Sequence, residues 1–599
     1  VLGSRGLGDV YKRQIKYFVF VFFLPIIFFS CSDIEFGDKF LGEAPESSGA
    51  TLDTMFNSKV NADKVLTKAY TYVPYGLPGG GDNKLGGNIL EALTDLYNSL
   101  RDNIGDGPTT LYYSGNLSAN MGSANIGNEA YRFASEFSYH AIRYAWIFIE
   151  NVDRVPDMTS SEKAQRIAEA KMLIALSYAE MLRYVGGVPL ITQSVDPNGE
   201  MNFPRATFEQ TVNYIVGLID ECKNSLPWKQ DNLNDGRMTK AGALGLKLRV
   251  LLFAASPMFN SSSPWHPEAD EYTRYSSESK ERWKAAKEAG DEFMKELEIN
   301  RQYDLIQPEE ATHEAYRKAF QTAYYDRGGN EILISTRRGY DSGTHQSFYD
   351  ERTYSGVTLN YVNMFPWKDG SDFPADFDWK HPSQQPFYTK DGEPTRDPRL
   401  YETVAVPGDL YWNGTPAPVY INHTGFRPGG MGFLCKKFIM EKAADRVGRP
   451  IQWPYLRFAE VLLSYAEALN EFNGGPDALA YDCVNRVRNR VGLGNLPTGL
   501  SQVNFRKAIL KERALEFGFE EVRWFDLIRW KMESEFQKTL YGLTSKALDD
   551  QNDPHEFSFT PFAIKDRFWK TSWNTKWFLA PIPQTEINKE YGMTQNPGW

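Results

Sequence analysis

Glu460, Glu467, Glu512 and Glu516 are the residues in this sequence best placed to do chemistry. Two of them held across a cleft would make the two carboxyl groups of a glycoside hydrolase. Their setting argues the other way. All four fall on apolar stripes, and a carboxylate is almost never fully buried unless it is paired. Arg486, Arg488, Arg513, Arg523 and Arg529 lie in the same region as partners. Catalytic acids also need an open cleft, and these sit among core residues. The preferred reading is a structural network of glutamate, arginine and asparagine between packed helices, with no catalytic residue. Hydrolysis is the weakest functional reading.

The elements that hold these acids are legible from spacing. Leu456, Ala459, Leu463, Ala466 and Asn470 recur at three and four, which predicts a helix opening at Gln452 and ending at Gly474-Gly475-Pro476. Val461, Leu462, Tyr465 and Leu469 cover its other side, so it is expected to be buried nearly all round. Two more helices are expected over 478–491 and 504–519, the second leading into Arg523-Trp524-Phe525-Asp526-Leu527-Ile528-Arg529-Trp530. Upstream, periodicity predicts helices over 53–73, 130–152, 161–184, 207–226, 239–255 and 283–297, and a short strand at 330–335. Residues 303–430 are rich in Asp, Gly, Pro, Tyr and Trp and show little period. So much irregular sequence in a compact protein points to loops with a binding task.

Composition narrows the function. The formal charge of -11 gives no electrostatic reason to expect nucleic acid. Cys31, Cys222, Cys435 and Cys483 form no CxxC pair, and there is no HExxH, GxSxG or Walker loop. Residues 1–14 look unlike any export segment or fold element and are read as an artefactual start. Lys12, Arg13 and Lys16 then precede an apolar run, Tyr17 to Phe29, that stops at Ser30-Cys31. A basic stretch, a short apolar stretch and a small residue before a cysteine describe a signal peptide with a lipid-modified Cys31. Residues 31–48 would be the tether, and acylation would anchor the chain to a membrane that it does not span.

Several runs together resemble one family. They are Arg457-Phe458-Ala459-Glu460-Val461-Leu462-Leu463 with Ala466-Glu467-Ala468-Leu469-Asn470, then Val484-Asn485-Arg486-Val487-Arg488, then Lys511-Glu512-Arg513 with the 523–530 run. Gly186-Gly187-Val188-Pro189-Leu190, Ser256-Pro257-Met258-Phe259-Asn260, Asp397-Pro398-Arg399-Leu400 and Trp577-Phe578-Leu579-Ala580-Pro581 agree. The sequence resembles the SusD/RagB family of Bacteroidetes outer-membrane lipoproteins over almost all of the chain after residue 31. That resemblance implies an α-dominated, TPR-like bundle of about eight or more core helices, with a large irregular insertion and minor β structure. It implies one domain over 49–599. Its helical scaffold would be 49–255 and 452–535, its ligand-binding loops 256–451 and its C-terminal strap 536–599.

The resemblance also implies the task. Such a protein would be lipid-anchored at the surface of the outer membrane, capture oligosaccharides, and deliver them to a SusC-type TonB-dependent barrel. A peptide-capturing, RagB-like protein is the alternative. Sugar rings stack their C–H faces on aromatic rings, while amides and carboxylates bind the hydroxyls. On regional analogy with the family, the expected ligand residues are Asp95, Tyr97, Tyr113 and Asn116, with Tyr340, Tyr361 and Trp367 from the irregular middle. No cofactor is expected. Calcium is the one ion considered, in the acid-rich stretch Asp369 to Asp378, where a solvated loop is the preferred reading.

Overall fold

A computed structural model of the chain describes residues 51–77, 89–99, 109–120, 138–196, 198–337, 355–426, 430–439 and 452–599. The chain divides into two units, Val1–Thr54 with Asp196–Asn198 and Met55–Val195 with Gly199–Trp599. The larger unit carries every element discussed below.

Its first half is helical: α1 (Lys59–Tyr70), β1 (Tyr97–Ser99), α2 (Ser138–Asn151), α3 (Ser160–Val185), α4 (Phe208–Cys222), α5 (Lys240–Ala255), α6 (Lys280–Asn300) and α7 (His313–Tyr325). Then come β2 (Ile332–Arg337), β3 (Ser355–Val357), α8 (Pro398–Thr403), β4 (Gln452–Arg457), α9 (Phe458–Asn473), α10 (Ala478–Asn489), α11 (Gln502–Phe517) and α12 (Arg523–Arg529). A hairpin, β5 (Tyr541–Ala547) and β6 (Phe557–Ala563), precedes the C-terminal segment. From α1 to α6 each helix packs on the next, and α6 packs on α9, which also contacts α5, α10 and α11. This is a TPR-like stack, with α9 as its best-buried member: Phe458 to Glu471 are all buried.

Local chemistry sets the helix limits. At the start of α3 the Thr159 hydroxyl accepts from the Glu162 amide at 3.2 Å, and the Glu162 carboxylate accepts from the Thr159 amide at 2.9 Å. Thr207 and Gln210 repeat that reciprocal cap on α4. At the end of α3, Gly186 sits at φ +82°, and a Cβ there would lie 2.7 Å from the Tyr272 carbonyl oxygen. Only glycine combines that backbone with that approach.

Three regions differ from the sequence reading. Gln452–Arg457 is a strand and not the first turns of α9. It pairs antiparallel with β2, and between Ile334 and Thr336 two of its residues, Pro454 and Tyr455, face one. A bulge tolerates the amide that proline lacks, so the apolar spacing through Leu456 belonged to a buried strand. Residues 256–451 are less irregular than expected, since α6 is longer than predicted and α7 was not predicted. Residues 536–599 contain the β5–β6 hairpin, not only a strap.

Candidate functional site

The four glutamates are all buried and all meet arginine. Glu460 receives both guanidinium arms of Arg249, at 2.9 and 2.5 Å. Glu467 pairs with Arg529 and accepts from the Trp530 indole at 2.9 Å. Glu512 accepts from Arg399 at 2.6 Å and Arg488 at 3.1 Å. Glu516 takes Arg457 at 3.0 Å, Arg399 at 3.2 Å and Arg490. Burial opposes its charge, but Arg490, Arg457 and Arg399 together hold its carboxyl well below the usual carboxylate range. Burial raises the neighbouring Glu331 carboxyl against the pull of Arg490 and Arg457. None of these acids faces a cleft, so the catalytic pairing considered for them is overturned. Of the arginines expected as partners, Arg486 instead pairs with Asp304 and Arg523 with Asp95. Arg249 and Arg399, from elsewhere in the chain, together with Arg457 and Arg490 from the same region, supply most of the charge.

The expected ligand residues divide by burial. Asp95 is held by Arg523 at 2.9 and 2.7 Å. Tyr97 lies edge-on to Phe519 with ring centres 5.6 Å apart, and Tyr361 meets the same ring at 6.3 Å. The Tyr361 hydroxyl donates to the Ala514 carbonyl at 2.8 Å. The two segments do meet, because β1 pairs with β3 from Tyr97↔Val357 to Ser99↔Ser355. They meet inside the protein, however: Asp95, Tyr97 and Tyr361 are buried and, as the structure stands, present no surface to a ligand. Tyr113 is half-buried: its hydroxyl donates to the Ala92 carbonyl, and the Arg567 guanidinium lies 4.4 Å from its ring centre. Asn116 is exposed. Tyr340 and Cys31 lie outside the described residues.

Trp367 leads to a different place. It is half-buried beside Phe373, 5.0 Å away, and ring contacts continue from Phe373 to Trp379, from Trp379 to Phe387 and from Phe387 to Phe559. Beneath its start lies Arg396, wholly buried, with its guanidinium 3.7 Å from the Phe373 ring centre and bound to the carbonyls of Val362 and Phe365. Burial lowers its pKa to about 9. The far end of this aromatic row floors a cleft of about 590 Å³ of empty space, open mouth included.

Three turns build that cleft. The first is the tight turn after Tyr388, where the Thr389 amide donates to the Glu393 carbonyl at 2.8 Å. The second holds Gly408, at φ +88°. The third is the end of the β5–β6 hairpin, where Phe557 and Phe559 alternate with exposed Ser558, so both rings turn to the buried side. Gln385 and His555 add polar groups. Tyr388 is oriented from behind: its ring lies 5.0 Å from that of Tyr401, and the Asp409 charge that bears on its hydroxyl is held by Lys436 at 2.9 Å. Burial and the Asp409 charge push the Tyr388 phenol well above its ordinary pKa, so it stays protonated. Tyr388, Phe557, Gln385 and His555 were missed in the sequence. The alternation Phe557-Ser558-Phe559-Thr560 was the available signal, a half-buried strand ending at a turn.

Residues 322–599 match the model of the SusD family. Over those residues the chain has the pattern of the SusD family, in line with the SusD/RagB resemblance of its motifs. SusD-like protein P38 of Formosa agariphila is 24% identical over 437 residues, covering 67% of this chain and 73% of its own. A SusD-like protein from Bacteroides fragilis superposes with a TM-score of 0.70 at 22% identity, covering 91% of this chain and 98% of its own. A SusD-like carbohydrate binding protein from the same species gives a TM-score of 0.64 at 20% identity, covering 89% and 99%. At these identities the structural likeness speaks for the fold.

The acid-rich stretch after Trp367 makes local contacts. Asp369 accepts from the Ser371 amide at 2.9 Å, Asp378 accepts from the Lys380 amide at 3.0 Å, and Asp372 pairs with Lys511. Among the described residues no three His, Cys, Asp or Glu side chains gather as metal ligands do.

Proposed function

We propose that the protein captures oligosaccharides at the outer-membrane surface and hands them to a SusC-type TonB-dependent barrel, without chemistry of its own. The observation that carries this reading is the ring-walled cleft at Tyr388 and Phe557, whose described lining holds Gln385 and His555 but no carboxylate. A sugar ring can stack on Tyr388 or Phe557 while the amide and imidazole bind its hydroxyls. Hydrolysis needs two flanking carboxyl groups, and the cleft lining offers none. The ring behind the site is fixed before ligand arrives, which lowers the ordering cost of binding. The likeness to a SusD-like carbohydrate binding protein of Bacteroides fragilis supports the same reading.

The location follows from Cys31. Acylated there, the chain would hang from the outer membrane by residues 31–48, with 49–599 as the capturing domain. Among the described residues no helix is long and apolar enough to cross a membrane. The test is retardation of the mature protein in native gels containing laminarin, soluble starch, galactomannan or xylan. Retardation by at least one, weakened in Tyr388→Ala, supports capture at this cleft. No retardation by any of them, with binding to a peptide library instead, would transfer the protein to the peptide-capturing reading. Delivery is tested separately: affinity purification from detergent-solubilised outer membranes should co-purify a large barrel, and recovery of the protein alone would refute it.

A further inference from the structure

A second groove, of about 990 Å³, opens where the connection between α3 and α4 runs beside the first turns of α4. Phe203, Tyr214 and Leu190 face it, with exposed Asn202 and Asn213 on its rim. We propose that this groove is a second binding site for a neutral oligosaccharide, separate from the Tyr388 cleft. The inference rests on the glycan reading above.

The wall is built and rigid. The Tyr214 hydroxyl donates to the Ile191 carbonyl at 3.0 Å, and the Trp146 indole donates to the same oxygen at 2.9 Å. Tyr178 stands behind Tyr214, ring centres 5.3 Å apart at 81°. Its hydroxyl accepts from the Ile191 amide at 2.7 Å and donates to the Pro189 carbonyl at 3.2 Å. Tyr139 donates to that carbonyl too, at 3.0 Å. Three tyrosines and a tryptophan thus pin residues 189–191, and the exposed part of the Tyr214 ring is presented without freedom to collapse. Opposite, the Phe203 amide donates to the Tyr591 carbonyl at 2.7 Å and the two rings meet edge-on at 6.1 Å.

Charge selects the ligand. Among the residues that line the groove the one charged group is Arg205, which is buried and bonded to the carbonyls of Val185 and Gly187 at 2.7 Å and of Thr594 at 3.1 Å. No charged side chain is left to recognise a phosphate or an acidic peptide. Ring faces with neutral amides at their edge match a sugar's C–H faces and hydroxyls.

The test uses the mature protein in gels containing laminarin, soluble starch, galactomannan or xylan, followed by calorimetry with the oligosaccharide of whichever polysaccharide retards it. Tyr214→Ala with Phe203→Ala should weaken retardation about tenfold, the loss of one to two stacking contacts. Tyr214→Phe should keep it. Asn213→Glu, an exposed change that leaves the fold alone, should weaken it as well. Calorimetry should find two sites in the wild type and one in the Tyr388→Ala variant. Full retardation of the groove variants on every polysaccharide that wild type binds would overturn this inference and leave the proposed function standing. Wild type retarded by none of the four would overturn both.

Discussion

Replacing Glu516 with glutamine tests whether the buried acids hold the scaffold or perform chemistry. Glutamine keeps the shape and removes the charge. Arg399, Arg457 and Arg490, all wholly buried, then share one carboxylate fewer. Taking one partner from a buried ion network costs about 3–5 kcal/mol. An unfolding entropy near 2.1 cal/mol/K per residue gives a chain of 599 residues about 1.3 kcal/mol/K, so Tm should fall by about 2–4 °C. The deficit has a defined pH dependence. The folded-state pKa of Glu516 lies below its ordinary value of 4.5, so its stabilisation is complete above that value and is lost as pH falls toward the folded pKa. The difference between wild type and Glu516→Gln should therefore be constant from pH 7 to about pH 5 and shrink below about 4.5. Scanning calorimetry at several pH values measures this, with polysaccharide retardation of the same samples alongside. An unchanged Tm together with lost carbohydrate binding would refute the structural role. So would wild-type release of reducing ends from a polysaccharide that the variant no longer attacks.

Other perturbations probe other parts of the argument. Burial, and then the nearby Glu521 charge, raise the Glu91 carboxyl to about 8, so its contribution to stability is present near pH 5 and is lost as pH rises through 8. Glu91→Gln should raise Tm at pH 8.5 relative to wild type and leave it little changed at pH 5; an equal effect at both values would contradict a raised pKa. Tyr361→Phe removes a buried donor from the Ala514 carbonyl and should cost about 1–3 kcal/mol with no effect on carbohydrate affinity; weaker binding at unchanged stability would return Tyr361 to the ligand set. Gly186→Ala should lower Tm or soluble yield, because its φ of +82° and the Tyr272 carbonyl leave no room for a methyl group. Dialysis against EDTA should leave polysaccharide retardation intact, and a loss restored by calcium would show that an ion is required.

Most of the long helices, and the need to pair their buried charge, were legible in the sequence, although α7, the strand β4 and the β5–β6 hairpin were not. Thr159 with Glu162, and Gly186 with Gly187, mark the two ends of α3 because caps and glycine turns act within one turn of chain. The surplus of arginine beside Glu460, Glu467, Glu512 and Glu516 announced a buried network because charge in a core must be paired. What local pattern could not carry was which side of an irregular segment faces water. Asp95, Tyr97 and Tyr361 have the residue types of a sugar site, yet Arg523, Phe519 and Ala514, distant in sequence, draw them inward. The same cause hid Tyr388, whose place in a cleft depends on Asp409 behind it and on Phe557 from the far hairpin. Exposure is a property of what packs against a residue, and for loops that neighbour comes from elsewhere in the chain, so it becomes visible once the whole chain is folded.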